Sequence, residues 1–207
     1  MKLHNNLDEL FGNSSKVKIL RFLFTEQDEH TGRGIATAVS MGASSTYRLL
    51  QELKEAGIIS ARRKGKAVLY RLKNENYFVK KLLYPLFEKE KAVYSDVIAY
   101  IKKGLIIGKD NILSIALFGS VVQRKETTRS DIDLVIVTKN NNGKNRASRR
   151  MDKLSVGMAK KFGLAISSYI LTKTEIIKRY TQKQAIIISI MNNNRLLYGE
   201  PIERILA

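Results

Sequence analysis

Cysteine is absent from this 207-residue chain, which excludes disulfides and thiolate metal sites. Histidine occurs only at His4 and His30. Neither has a partner nearby in sequence, so a histidine triad or a His-rich zinc site is excluded as well. No apolar run reaches the roughly 20 residues a membrane span needs. The opening MKLHNNLDEL lacks the apolar core of a signal peptide, so the expectation is a cytoplasmic protein with no membrane partner. Acid is scarce: 19 Asp and Glu stand against 37 Lys and Arg, a formal net charge of +18 with a pI near 10.0. Such a balance favours a polyanionic partner; a generally basic protein from a salty or hot source would show the same composition.

The stretch that carries chemistry is Ile115 to Thr138, IALFGSVVQRKETTRSDIDLVIVT. Two short aliphatic runs bounded by turn residues read as buried or half-buried strands. The first ends in Gly119-Ser120 and the second opens with Asp131-Ile132-Asp133. Side chains alternate along a strand, so Asp131 and Asp133 share a face. Paired carboxylates repel unless neutralised, and the common neutraliser is a hard divalent cation such as Mg2+. Gly119 permits close backbone approach to a bound group, and Ser120 offers an N–H and a hydroxyl to a phosphate oxygen. The alternative is a Gly-Ser turn followed by acids that merely open a strand.

Gly119-Ser120 and Ser130-Asp131-Ile132-Asp133-Leu134, at this spacing, resemble the signature of the polymerase-β-like nucleotidyltransferase superfamily, especially its minimal members. The ending Leu197-Tyr198-Gly199-Glu200-Pro201 is similar to one common in that family. The resemblance implies Asp131 and Asp133 as catalytic metal ligands, Gly119, Ser120 and Ser130 as nucleotide-binding residues, and Mg2+ and an NTP as cofactor and ligand. Catalytic members usually add a third carboxylate from a later strand. The register set by Leu171-Thr172 puts Ser167 there, and no Asp or Glu lies between Lys153 and Thr174. A glycine that often follows the Gly-Ser turn in the family is also missing, the stretch here being Gln123-Arg124-Lys125.

Toward the N-terminus, Ser14-Ser15 offers a helix cap before a stripe of Val17, Ile19, Leu20, Leu23 and Phe24. Thr31-Gly32-Arg33-Gly34 breaks the chain ahead of a short helix through Ile35 to Val39. Ser44-Ser45 then caps a third helix whose stripe reads Tyr47, Leu50, Leu53, Ala56, and Gly57 ends it. Two apolar runs around Arg62-Arg63-Lys64-Gly65-Lys66 read as a hairpin. Residues 10–73 therefore resemble a winged helix-turn-helix domain, which implies double-stranded DNA as partner. By that resemblance Ser44, Ser45, Thr46 and Arg48 face the duplex from the third helix, while Arg62, Arg63, Lys64 and Lys66 contact phosphates from the wing. Protein contact and solvated wing charges are the alternatives, and Thr25 to Glu29 is locally acidic.

Asn76 to about Leu105 reads as continuous helix with a long apolar stripe, kinked or broken near Pro85. It could join two domains rigidly, pair with its counterpart in a homodimer, or pack within the chain. Beyond the second acid-bearing strand, Lys139 to Gly143 is a polar loop. A basic helix containing Arg146, Arg149, Arg150, Lys153, Lys160 and Lys161 follows, suited to a nucleotide, a nucleic-acid backbone, or solvent. Leu164 to Leu171 reads as a third strand, Thr172 to Glu175 as a helix cap, and Gln184 to Asn194 as a last helix whose Ile186-Ile187-Ile188 implies burial on several sides.

The expected class is α+β: a winged helix-turn-helix over 1–75, a helical connector over 76–108, and a nucleotidyltransferase-like mixed sheet with helices over 109–207. The expected function is a DNA-binding transcriptional regulator whose C-terminal domain binds a Mg-nucleotide. The alternative is an active Mg-dependent nucleotidyltransferase, the most similar enzymes being antitoxin-type transferases.

Overall fold

The computed structural model describes residues 6–106, 111–127 and 130–207. The chain divides into two compact units, Met1–Val93 and Tyr94–Ala207.

The N-terminal unit begins with α1 (Asn6–Phe11) and α2 (Ser14–Glu26). The cap of α2 is Asn13 rather than the serines that follow it: its side chain accepts from the Ser15 N–H at 2.9 Å, and Asn competes with Ser on equal terms for this position. A two-residue strand, β1 (His30–Thr31), precedes α3 (Gly32–Ala38), and α4 spans Ala43–Glu55. Gly42 occupies the N-cap of α4 without a side-chain bond. Ser44 and Ser45 therefore sit inside the first turn instead of capping it. The hairpin is β2 (Ile59–Lys64) and β3 (Ala67–Leu72), with Lys64 opposite Ala67. Gly65 supplies the left-handed residue, φ +61°, that so tight a turn requires. The sheet order is β1-β3-β2, all antiparallel. Ile19, Leu20, Leu23, Ile35, Leu50, Leu53, Ile58 and Tyr70 fill the core; each aliphatic side chain so buried stabilises by about 1.5–3 kcal/mol. Helices α2, α3 and α4, closed by the hairpin, form the expected winged helix-turn-helix.

After β3, the Asn76 side chain accepts from the N–H groups of Phe78 and Val79 and donates to the Gly57 carbonyl, which starts the next helix. Its first part is a π turn over Val79–Leu83, after which α5 runs Tyr84–Leu105. The wider turn lies directly before Pro85, whose ring would meet the carbonyl four residues back and which has no N–H to donate. The single apolar stripe read from sequence is split three ways. Phe78, Val79, Leu83 and Phe87 enter the N-terminal core, and Val97, Ile101 and Leu105 enter the C-terminal one. Leu82, Leu86 and Val93 remain exposed.

The C-terminal unit contains β4 (Ile112–Phe118), β5 (Ile132–Thr138), α6 (Asn141–Phe162), β6 (Ile166–Thr172), α7 (Lys173–Thr181), α8 (Ala185–Asn192), β7 (Asn194–Gly199) and α9 (Ile202–Leu206). The mixed sheet has order β6-β5-β4-β7. Only β5 and β6 are parallel, and α6 makes the crossover that a parallel pair needs. Alternation along β4 and β5 feeds two cores. Ile115, Leu117, Leu134 and Ile136 meet the end of α5 and Met151, Leu154 and Met158 of α6. Ala116, Val135 and Val137 meet Ile176, Ile187, Ile190, Ile202 and Ile205. The triple isoleucine is less buried than expected: Ile187 is enclosed, Ile188 is half-buried and Ile186 is exposed, because α8 packs by one face only. Edge strand β7 lies where the last helix was expected to end.

Candidate functional site

Strand β4 carries the chain to Phe118, which stands opposite Asp133 in the antiparallel register. Gly119 then turns with φ +75°, and a Cβ built there would overlap the Asp133 carboxylate. Glycine is thus required twice, by the left-handed backbone and by the close approach. The chain continues as a helical turn closed by the Gln123 N–H on the Gly119 carbonyl at 3.3 Å and the Lys125 N–H on Ser120 at 3.0 Å. Arg124 has φ 54°, a left-handed conformation that costs a residue with a Cβ more than it would cost glycine.

Asp133 lies within β5 and is half-buried, while Asp131 is exposed just before the strand. Between them Ile132 is buried in the core shared with α5 and α6, so alternation turns both carboxylates to the other side. In the parallel register Asp133 faces Ser167 of β6, and the Ser167 hydroxyl donates to Asp133 Oδ1 at 3.1 Å. The position expected of a third acid therefore holds a hydroxyl, spent on the second acid. Ser120 is half-buried beside Gly119. Ser130 is committed locally: its Oγ accepts from the Thr127 N–H at 2.9 Å and its own N–H donates to the Thr127 carbonyl at 3.0 Å. Among the described residues no three His, Cys, Asp or Glu side chains cluster in a way that could hold a metal. The mixed sheet with its helices is the nucleotidyltransferase-like C-terminal fold expected from the sequence.

On the N-terminal unit, Ser44, Ser45 and Arg48 are exposed along α4. Thr46 is not: it is fully buried, and its Oγ donates to the Gly42 carbonyl at 3.0 Å. The buried face of α4 is Thr46, Leu49, Leu50 and Leu53. That phase turns Tyr47 outward, 58% exposed, although the sequence pattern assigned it to the core; the Leu49-Leu50 pair was the available signal. In the wing Arg63, Lys64 and Lys66 are exposed, but Arg62 is held by Glu29 in a bidentate contact along one guanidinium edge, Nε to Oε1 at 2.6 Å and Nη2 to Oε2. The Arg62 hydrogen bonds pull the Glu29 carboxyl below its ordinary range, and Glu29 raises the Arg62 guanidinium in turn. Arg48 makes only a long contact with Glu52, 3.9 Å, which Lys16 holds at 2.8 Å.

The family model described as polymerase beta, nucleotidyltransferase, matches residues 101–202. No curated protein matches the sequence. Among solved structures, a possible transcriptional regulatory protein from Mycobacterium bovis (fragment 1–100) is similar at 29% identity, over 43% of this chain and 87% of that one, TM-score 0.33. Spectinomycin adenyltransferase AAD(9) from Enterococcus faecialis, solved with ATP and spectinomycin, is similar at 19% identity over 55% of this chain and 59% of that one, TM-score 0.42. A toxin–antitoxin structure with AMP-PNP is similar at 15% identity over 55% and 82%, TM-score 0.35. Among the described residues, no helix is long and apolar enough to cross a membrane.

Proposed function

We infer that this protein is a DNA-binding regulator whose nucleotidyltransferase-like domain binds a Mg-nucleotide without efficient turnover. The observation that carries the reading is the Ser167–Asp133 pair. A hydroxyl stands where catalytic relatives place a carboxylate, so the ligand set suits one cation better than the two-metal clamp of transfer chemistry. The donors that remain fit Mg2+: Asp131 and Asp133 are hard oxygen ligands, and glycine at 119 lets the Asp133 carboxylate lie directly against the turn. In this reading Asp131 and Asp133 hold the ion, which would neutralise triphosphate charge, and Gly119 and Ser120 present backbone N–H groups to the phosphates. Ser130 shapes the loop between them.

The DNA half of the proposal rests on the exposed side chains of α4 and the wing. Ser44, Ser45, Tyr47 and Arg48 would read the groove, and Arg63, Lys64 and Lys66 would contact phosphates, with Arg62 restrained by Glu29. A homodimer belongs to the same reading. Leu82, Leu86 and Val93 are 46%, 46% and 48% exposed, and their spacing puts them on one helix face. Sedimentation equilibrium of the full chain and of Leu86→Glu tests it: a monomeric wild type rules the dimer out, and a dimer lost in the variant supports it.

The second reading, a working nucleotidyltransferase, is favoured by the intact Gly119 approach to Asp133. Calorimetric titration with Mg2+ and each of the four NTPs, alongside assay for transferred nucleotide, separates the two. Binding that vanishes in Asp133→Asn, without product, is expected of the regulator; product formation dependent on Asp131 and Asp133 would establish the enzyme.

A further inference from the structure

We propose that the outer face of α6 is a second surface for the phosphodiester backbone of duplex DNA, separate from the wing. Charge divides unevenly along the chain. Residues 94–207 carry 20 Lys and Arg against 9 Asp and Glu, a net of +11, and residues 1–93 carry the remaining +7. The unit without the wing is the more basic one.

At 3.6 residues per turn, Asn142, Arg146, Arg149, Lys153 and Lys160 fall in one stripe, and all five are exposed. The buried face, Ala147, Met151, Leu154 and Met158, points away from it into the core. The other bases of the helix have partners within the protein. Lys144 pairs with Glu175 at 2.8 Å, Arg150 donates to the Leu105 carbonyl at 3.0 Å, and Lys161 lies over the rings of Tyr100 and Phe162. No ion pair among the described residues involves Arg146, Arg149, Lys153 or Lys160. Asp152, the one acid of the helix, lies beside the stripe rather than in it.

The charges from Arg146 to Lys160 extend over about 21 Å of helix axis, comparable with about six base-pair rises. No residue of the stripe is aromatic, so the stripe itself offers no platform on which single-stranded bases would stack. Unpaired point charges in a line suit the dense, regular phosphates of a duplex, bound without regard to sequence. The choice of DNA rests on the regulator reading, in which the N-terminal unit brings the duplex to the chain.

The test uses the full chain, fluorescence anisotropy, and duplex DNA of arbitrary sequence beside duplex RNA of the same length, titrated across salt concentrations, for wild type, R149Q/K153Q and R63Q/K64Q. Losing two phosphate contacts on α6 should lower the slope of log affinity against log salt by about 1.8. The thermal melt should not change, since both residues are exposed. An unchanged slope in a folded R149Q/K153Q variant overturns the proposal, as does a loss seen only with duplex RNA of the same length. The wing variant separates the two readings. If R63Q/K64Q has no effect while R149Q/K153Q lowers the slope, wing recognition fails and the α6 surface stands. An effect of the wing variant alone refutes the α6 surface.

Discussion

Substituting Gly119 by alanine perturbs the site at the point where backbone conformation and carboxylate placement meet. An alanine at φ +75° costs about 1–2 kcal/mol for its left-handed backbone. Its Cβ would also take space held by the Asp133 carboxylate, so the aspartate must leave its position. Forcing that side chain off its rotamer costs about 0.5–1.5 kcal/mol. Losing the Ser167 hydrogen bond adds about 0.5 kcal/mol, the low end for a bond whose donor is solvent-exposed. Gly119→Ala should therefore destabilise the C-terminal unit by about 2–4 kcal/mol, read by urea denaturation. At temperatures where the variant remains folded, Mg-NTP binding by calorimetry should be lost, because Asp133 no longer points where a cation would need it. A variant within about 0.5 kcal/mol of wild type that still binds Mg-NTP would refute the reasoning from the glycine geometry.

Freeing Arg62 is the converse experiment on the wing. Glu29→Gln removes its bidentate partner and should steepen the salt dependence of duplex binding by up to about 0.9; a weaker complex would contradict that. Thr172 caps α7 in a capping box with Glu175, so Thr172→Ala should destabilise the C-terminal unit by about 1 kcal/mol, measurable as a shift of its denaturation midpoint. Glu175 itself is held below its ordinary 4.5, chiefly by the Lys144 hydrogen bond and then by the Thr172 N–H. Its contribution is complete above 4.5 and is lost as pH falls through the lower folded value. Acid titration of stability should accordingly show a smaller drop in Glu175→Gln than in wild type.

Much of this architecture could be read in the sequence because its signals are local. The Arg62-to-Lys66 hairpin, the Gly57 and Gly163 helix ends and the Thr172-to-Glu175 cap each declare themselves within a few residues, and each is where the pattern put it. The sequence singled out Ser167 only as the position where the resembling family carries a third acid; that it stands opposite Asp133 on a parallel strand came from the structure. Some misreadings came from contacts between distant segments, others from ambiguous local patterns. β1 is two residues long and exists only by pairing with β3, so no periodicity foretold it. That same pairing brings Glu29 to Arg62, a partner invisible along the chain. Tyr47 and Thr46 were exchanged between core and surface because a phase taken from Tyr47, Leu50 and Leu53 is one residue from the one set by Leu49 and Leu50. β7 was hidden because Leu196 to Tyr198 at an exposed edge shows little of the β-branched enrichment that marks a central strand.

The central claim, binding without efficient transfer, is tested most directly by comparing wild type with Ser167→Asp under Mg2+ and each NTP, with heat of binding and labelled product followed together. The account predicts Mg-dependent binding and negligible product for wild type, and tighter metal binding once Asp replaces the hydroxyl that now bonds Asp133. Robust transfer by the wild type, lost in Asp131→Asn and Asp133→Asn, would contradict it.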